Sequence, residues 1–204
     1  MPTTRLSTTS RKRGRQIFAA TIIAFFAALA TASKSVDAKS PKSRALSAIH
    51  MLTAARFTSV NHLSAEALLE LKNSTLDDVV IMDVREPMEH RVSHLPDSIR
   101  VSPAITPQDF AKKFAAVIQG KTLVLYCSVG VRSTELAARI LPLKQSLGIT
   151  KLYNLRGGIF NWHNHALPLA TSKAATNRIH PYNRRWAYLL NRRELITYTP
   201  AQPL

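Results

Sequence analysis

The sequence predicts an α/β fold in which a mainly parallel sheet is covered by helices on both faces. Short apolar runs at residues 79–83, 121–127 and 151–155 predict three buried strands. Segments with apolar residues at helical spacing lie between these runs, so strands and helices alternate along the chain. This alternation indicates a parallel sheet, because parallel neighbours are connected by crossovers that are usually helical.

The first predicted helix, at residues 45–55, would place Leu46, Ile49 and Leu52 on one side. A polar segment with a proline, at residues 39–44, precedes it and is expected to be a linker. The part of the chain from 39 to 60 is therefore interpreted as a linker and a short helix.

Three further helices are expected between and beside the strands. Ser64 is a suitable cap for a helix at 65–72. Pro107 and Gly120 mark the two ends of another helix, and a third is expected at 132–145. The apolar positions of the 107–119 helix are Phe110, Phe114, Val117 and Ile118.

Composition indicates one globular domain with extensions. The 204 residues are 46% hydrophobic and 20% charged, which excludes a disordered chain. The net charge of +16 favours anionic small molecules, acidic partners or membrane headgroups. No nucleic-acid motif accompanies this charge, so no nucleic-acid partner is expected. The single cysteine excludes an internal disulfide.

Residues 1–38 have the pattern of a signal peptide or a signal anchor. A basic, acid-free stretch precedes the apolar run at 17–30, and small residues follow it at Ala30-Thr31-Ala32. The apolar run is shorter than the ~20 residues of a spanning helix, which favours a cleaved signal peptide. The small residues favour cleavage after Ala32, and cleavage after Ala38 is the alternative. The expected location is exported, periplasmic or membrane-tethered outside the cytoplasm, with membrane contact through the N-terminus. An organelle transit peptide is the alternative.

The strongest candidate for chemistry is Cys127, which follows a predicted strand and precedes a predicted helix. Backbone N–H groups in such a loop form a concave nest that binds anions, and the positive end of the helix dipole adds to this effect. Arg132 adds a permanent positive charge. Together these features favour the thiolate of Cys127, which is the nucleophilic form.

The length of the loop distinguishes between two kinds of cysteine chemistry. Four residues separate Cys127 from Arg132. Cysteine-dependent phosphatases have one residue more there, to enclose a tetrahedral phosphate, and a histidine before the cysteine where this chain has Tyr126. The shorter loop suits a single sulfur atom attached to the cysteine.

With this loop, the sequence resembles the single-domain rhodanese-like sulfurtransferases. Other segments carry the resemblance in the expected order: residues 79–87 resemble the first core strand, 93–99 the next turn, and 154–162 the closing Gly-Gly turn and helix. The resemblance covers the proposed domain at 61–170. It implies a rhodanese-like three-layer fold, with a central, mainly parallel sheet flanked by helices on both faces.

The resemblance also implies roles for individual residues. Cys127 would attack a sulfane sulfur, carry it as a persulfide and pass it on, with Arg132 stabilising the anion. Backbone amides near the cysteine would surround the added sulfur: those of Ser128, Val129, Gly130, Val131 and Ser133. Supporting roles fall to Asp83, Arg85, Glu86 and His94, which would form a charge network or structural hydrogen bonds near the site.

The implied partners are a small anionic or persulfide sulfur donor and a thiol or cyanide acceptor. Arg132 is the only formal charge in the loop, which disfavours a dianionic donor and favours an uncharged or protein-bound one. No cofactor and no metal are expected, because His163, His165 and His180 do not form a convincing ligand set.

Residues 171–204 form a basic C-terminal extension, expected to dock on the domain. A short helix after Pro181 would place Tyr182, Trp186 and Leu189 or Leu190 on one face; a membrane or partner-binding role is the alternative. Three other functions remain open for the whole chain. They are a non-catalytic binding module of the same fold, a phosphatase or arsenate reductase, and a redox sensor built on Cys127.

Overall fold

A computed structural model of the protein describes residues 40–74 and 78–200. The predicted signal segment at 1–38 lies outside these residues. The described helices, numbered in chain order, are α1 (Pro41–Arg56), α2 (Ala65–Ser74), α3 (Pro87–Val92), α4 (Pro107–Ile118), α5 (Val131–Ile140) and α6 (Gly158–Asn164). The strands are β1 (Asn61–Leu63), β2 (Val79–Asp83), β3 (Ile99–Arg100), β4 (Thr122–Tyr126), β5 (Lys151–Leu155), β6 (Leu169–Ala170) and β7 (Ala175–Thr176).

The central sheet has the strand order β1-β5-β4-β2-β3, and every pairing in it is parallel. The separate pair β6-β7 is antiparallel. Side chains alternate between the two faces of the sheet. In β4, Val124 and Tyr126 join one apolar cluster, while Leu123 and Leu125 join the other. Helices cover both clusters, which confirms the predicted three-layer α/β architecture.

Two predicted helix boundaries were wrong. The segment 39–44 is not a linker throughout, since α1 begins at Pro41. Ser40 caps it by accepting a hydrogen bond from Ser43 N at 3.1 Å, and proline is tolerated in a first helical turn. The 132–145 helix ends at Ile140, followed by a 3₁₀ turn at Leu141–Leu143 that contains a proline.

Two predicted core residues are exposed. Leu52, in α1, is 74% exposed, and the neighbouring Thr53 is buried in its place. The buried hydroxyl of Thr53 is hydrogen-bonded, because Oγ1 donates to Ile49 O at 2.7 Å. Val117 of α4 is also exposed, while the other three predicted apolar residues of that helix are buried.

The C-terminal segment packs on the domain, as expected. Ile179, Leu189 and Leu190 belong to the same buried cluster as the sheet residues on one face. Polar contacts reinforce this packing: Asn164 Nδ2 donates to Leu189 O at 2.8 Å, and Lys42 Nζ donates to Leu190 O at 2.8 Å. The short helix is a 3₁₀ turn at Trp186–Leu189.

Tyr182 differs from the expectation for this segment. It does not share a face with Leu189 in the short helix, because it precedes the 3₁₀ turn and its backbone has φ 66°. Its side chain is 46% exposed.

Within the part of the chain that the structure describes, no helix combines the length and apolar character needed to cross a membrane.

Candidate active site

Cys127 lies directly after β4, at the carboxyl end of a central strand, where open parallel sheets bind ligands. Its side chain is only 1% exposed. The Sγ atom accepts a hydrogen bond from Gly130 N at 3.2 Å, immediately before α5 begins. Gly130 has φ 101°, a backbone conformation that side chains oppose. The turn predicted around the cysteine is therefore present.

The loop backbone is held by the start of α6. Ile159 N donates to Cys127 O at 2.9 Å, and Phe160 N donates to Ser128 O at 3.0 Å. Gly158 lies so close beneath these carbonyls that a Cβ there would be 2.3 Å from Cys127 O. The Gly157-Gly158 turn thus acts as a close-packed support for the cysteine loop.

The backbone amides predicted to surround an attached sulfur belong to the loop and the first turn of α5 that follow Cys127. Among the backbone amides that the structure describes, Gly130 N is the one bonded to Sγ itself. Two side chains of the helix that follows secure the turn: Thr134 Oγ1 donates to Gly130 O at 2.6 Å, and Ser133 Oγ donates to Asn154 Oδ1 at 2.6 Å. The amides of the other predicted residues make no hydrogen bond to the sulfur: Ser128, Val129, Val131 and Ser133.

Arg132 does not present a free cation at the cysteine, since Glu89 binds it through both carboxylate oxygens. Arg132 Nη1 donates to Glu89 Oε2 at 2.9 Å, and Nη2 donates to Glu89 Oε1 at 2.9 Å. Ser128 Oγ joins the group by donating to Glu89 Oε1 at 2.7 Å. Bidentate pairs of this kind are geometrically specific. The arrangement fixes the guanidinium beside the loop.

Glu89 and Arg132 each stabilise the charged form of the other. Burial opposes the charge of Glu89, but the hydrogen bond and charge of Arg132 lower the pKa of its carboxyl below the ordinary value. Burial likewise opposes the charge of Arg132, and Glu89 together with Cys127 raises its pKa. Both groups are therefore charged at neutral pH, and the guanidinium interacts with the Cys127 side chain.

Sequence reasoning named Glu86 among the supporting residues and missed Glu89. Glu86 is exposed and lies at the N-cap of α3, where its contact is with Glu89. Glu89, 2% exposed, takes the supporting role and also accepts from Glu86 N at 3.1 Å. A glutamate three residues after a helix cap is typical of a capping box. That signal could have marked Glu89 as a positioned carboxylate.

Asp83 and Arg85 form the predicted charge network in the core beside the site. Arg85 Nε donates to Asp83 Oδ1 at 2.8 Å, and Nη2 donates to Oδ2 at 2.6 Å. Tyr126 donates its hydroxyl to Asp83 Oδ2 at 2.8 Å. Burial opposes ionisation, yet Arg85, His90 and Tyr126 together lower the pKa of Asp83 to about 2. The pair is buried and ionised.

His94 makes structural contacts. Its ring stacks on that of His90 at 4.0 Å between centroids, and Nδ1 donates to His90 O at 3.0 Å. Burial lowers the pKa of His94. No group of three metal-ligating side chains occurs within residues 40–74 and 78–200.

Tyr182 is a site residue that the sequence did not predict. Its ring lies against the Arg132 guanidinium, with the guanidinium carbon 4.7 Å from the ring centroid. The C-terminal segment therefore reaches the active-site arginine, which no local pattern near Tyr182 indicates.

Comparisons with known proteins identify the family of this domain. The family model for the rhodanese-like domain matches residues 64–165. A sulfurtransferase from Allochromatium vinosum is 29% identical over 110 residues, covering 54% of this chain and 94% of that protein. The thiosulfate:glutathione sulfurtransferase of Saccharomyces cerevisiae is 32% identical over 97 residues, covering 43% of this chain and 67% of that protein.

Other matches cover less of their proteins. A tRNA uridine(34) hydroxylase from Rhodococcus erythropolis is 33% identical over 105 residues, covering 50% of this chain and 35% of that protein. The crystal structure of a Pseudomonas aeruginosa thiosulfate sulfurtransferase is 20% identical with a TM-score of 0.48, covering 72% of this chain and 26% of that one. The family match spans half of the chain, and the chain belongs to the rhodanese-like domain family, within which its relatives support a sulfurtransferase at family level.

Proposed function

We propose that the protein moves a sulfane sulfur from a donor to a thiophilic acceptor through a persulfide on Cys127. The observation that carries this proposal is the position of Sγ, at the carboxyl end of β4 and in contact with Gly130 N. The start of α5 and the adjacent Arg132 add positive potential beside Sγ, where sulfur-based anions form during the proposed transfer.

The proposed first step exchanges one sulfur–sulfur bond for another. The Cys127 thiolate attacks the outer sulfur of a persulfide R–S–SH. A bond forms between Sγ and that sulfur, the S–S bond of the donor breaks, and the thiolate RS⁻ leaves. With thiosulfate as donor, sulfite leaves instead. In the second step an acceptor thiolate or cyanide attacks the outer sulfur, which regenerates the Cys127 thiolate.

The residues around the loop have distinct proposed tasks. Gly130 and the amides of Ser128, Val129, Val131 and Ser133 surround the sulfur once it is attached. Arg132, held by Glu89, supplies a fixed positive charge. Because that charge is already paired, the mouth of the site favours an uncharged or protein-bound donor over a dianion.

Intact-mass spectrometry of the full-length protein tests the proposal. The protein is incubated separately with thiosulfate and with glutathione persulfide, beside a Cys127→Ser variant. We expect a gain of one sulfur, about 32 Da, which cyanide removes and the variant lacks. A folded wild-type protein with a reduced thiol that gains no sulfur from either donor would contradict the proposal and favour a binding module.

We further propose that residues 1–38 export the protein or tether it to a membrane facing outside the cytoplasm, based on the basic and apolar pattern of that segment. Cells producing the chain with a C-terminal tag would be fractionated and the tagged protein sequenced from its N-terminus. We expect either a mature chain beginning at Ser33 outside the cytoplasm or an intact chain in the membrane fraction. An intact chain in the cytosol would contradict this location.

A further inference from the structure

The C-terminal segment contributes a residue to the active site, because Tyr182 covers one side of Arg132. The guanidinium carbon lies 4.7 Å from the Tyr182 ring centroid. An edge of the same guanidinium is occupied by Glu89 and Ser128, which bind Nη1 and Nη2. Arg132 is thus enclosed by a carboxylate, a hydroxyl and an aromatic ring. A dianion entering the site has few free positions on this cation.

The backbone of Tyr182 has an energetically unfavourable conformation. Its φ of 66° lies in the left-handed region, which non-glycine residues rarely adopt. The surroundings maintain it: Tyr182 N donates to His180 Nδ1 at 3.0 Å, and Ile179, His180 and Pro181 are all buried. Such conformations persist when the surrounding structure determines them, and they cluster at functional sites.

The neighbouring residues anchor this segment close to the charged groups of the site. His180 packs edge-on against Tyr198 at 5.4 Å between ring centroids. Burial is the main cause that lowers the pKa of His180, and the charges of Arg85 and Arg132 lower it further while Glu89 opposes them. Ile179 N donates a hydrogen bond to Leu195 O at 3.0 Å, which ties this segment to the residues that follow it. The segment is therefore a fixed wall of the site.

We propose that Tyr182 is a specificity-determining residue that selects organic persulfides over dianionic donors such as thiosulfate, an inference that rests on the proposed sulfur-transfer function. The half-exposed ring presents an apolar surface suited to the carbon group of a persulfide R–S–SH. The same ring screens the guanidinium face that would otherwise attract a dianionic sulfonate group. Each donor still reacts by the same exchange at Cys127, with RS⁻ or sulfite leaving.

The test compares donors in variants that preserve the backbone. Tyr182→Gly and Tyr182→Asn both suit a left-handed conformation and remove the ring. Tyr182→Phe retains the ring, and Tyr188→Ala removes another exposed tyrosine of the segment while keeping its arginines. Transfer to cyanide is measured at one ionic strength with thiosulfate and with the persulfide of 2-mercaptoethanol, whose carbon group is uncharged.

Removing the ring should change the choice of donor. We expect both ring-less variants to raise the ratio of kcat/KM for thiosulfate to that for the persulfide by about fivefold or more, the scale of one cation–π contact. Tyr182→Phe and Tyr188→Ala should keep the wild-type ratio. An unchanged ratio in the ring-less variants, or an equal change in Tyr188→Ala, would overturn the inference.

A second readout does not depend on sulfur transfer. The rates at which iodoacetate and iodoacetamide alkylate Cys127 differ mainly through the charge of the reagent. Without the ring, the rate with iodoacetate should rise relative to that with iodoacetamide by about threefold, because the guanidinium face becomes accessible to anions. If donors fail to load wild-type Cys127 while this shift occurs, the proposed function fails and the screening by Tyr182 stands. If donors load Cys127 and neither ratio shifts, the inference alone fails.

Discussion

Replacing Gly158 by alanine is expected to destabilise the protein and to disable the cysteine loop. A Cβ at this position would lie 2.3 Å from Cys127 O and 2.7 Å from Ser128 O, and both are backbone atoms. These carbonyls accept hydrogen bonds from Ile159 N and Phe160 N, so α6 would have to move away from the loop it supports. Gly158 also has φ 56°, which an alanine opposes.

We expect Gly158→Ala to reduce the free energy of unfolding by about 3 kcal/mol, from backbone strain and overpacking together. Urea unfolding measures this loss, and intact mass measures sulfur loading by the fraction that remains folded. Loading should fall as well, because the displaced carbonyls belong to Cys127 and Ser128.

Gly120→Ala is a matched control for this effect. Gly120 has φ 74°, but a Cβ there would meet no atom within 4 Å. Its substitution isolates the cost of the left-handed backbone, which is about 1 kcal/mol, and should leave sulfur loading intact. Equal losses in the two variants would show that the close approach of Gly158 to the loop has no energetic weight.

Three strands of the central sheet, β2, β4 and β5, and the cysteine loop could be predicted because their signals are local, whereas the short strands β1, β3, β6 and β7 were not predicted. The sequence indicates β2 and β5 with the bounds that the structure has, since short apolar runs between polar turns are typical of buried strands. The cysteine loop is predicted in the same way, because Cys127 lies between a predicted strand and a predicted helix. These features depend on residues close together in sequence, and pattern reasoning uses such residues.

The errors concern contacts between residues far apart in sequence. Glu89 binds Arg132 although 43 positions separate them. The capping-box spacing could mark Glu89 as a positioned carboxylate, but it does not say that this carboxylate reaches the cysteine loop. Leu52 has the helical spacing of a core residue, but the helix face that is buried depends on what packs against it, and Thr53 lies on that face. Tyr182 reaches Arg132 only because the segment after residue 171 folds back over the sheet domain.

Neutralising Asp83 should lower the free energy of unfolding more than neutralising a surface charge does, because Arg85 would be left buried without its partner. Both side chains are 0% exposed. Removing one member of a buried ion pair costs about 3 to 5 kcal/mol, since the remaining charge stays desolvated. We therefore expect Asp83→Asn to lower the free energy of unfolding by about 3 kcal/mol in urea titrations near neutral pH.

Two comparisons separate this cause from a general effect of the substitution. Asp97→Asn neutralises an exposed pair, in which Lys72 Nζ lies 3.3 Å from an aspartate side chain that is 86% exposed. Asparagine also tolerates the φ of 63° at this position, so we expect a loss of less than about 1 kcal/mol. The double variant Asp83→Asn/Arg85→Gln should lose less than the sum of its single variants, because no unpaired charge remains. Additive losses would contradict a coupled pair.

The same pair predicts how stability depends on pH. Although burial opposes its ionisation, Asp83 has a folded-state pKa of about 2, below its ordinary value of 3.8, because Arg85, His90 and Tyr126 stabilise the carboxylate. A depressed pKa means that the unfolded chain binds the proton first as the pH falls. The stabilisation by Asp83 is therefore complete above about pH 4 and is lost between about pH 4 and 2. The difference in unfolding free energy between the wild-type protein and Asp83→Asn should narrow through this range. A difference that stays constant down to pH 2 would show that the Asp83 carboxylate is not stabilised in the folded state.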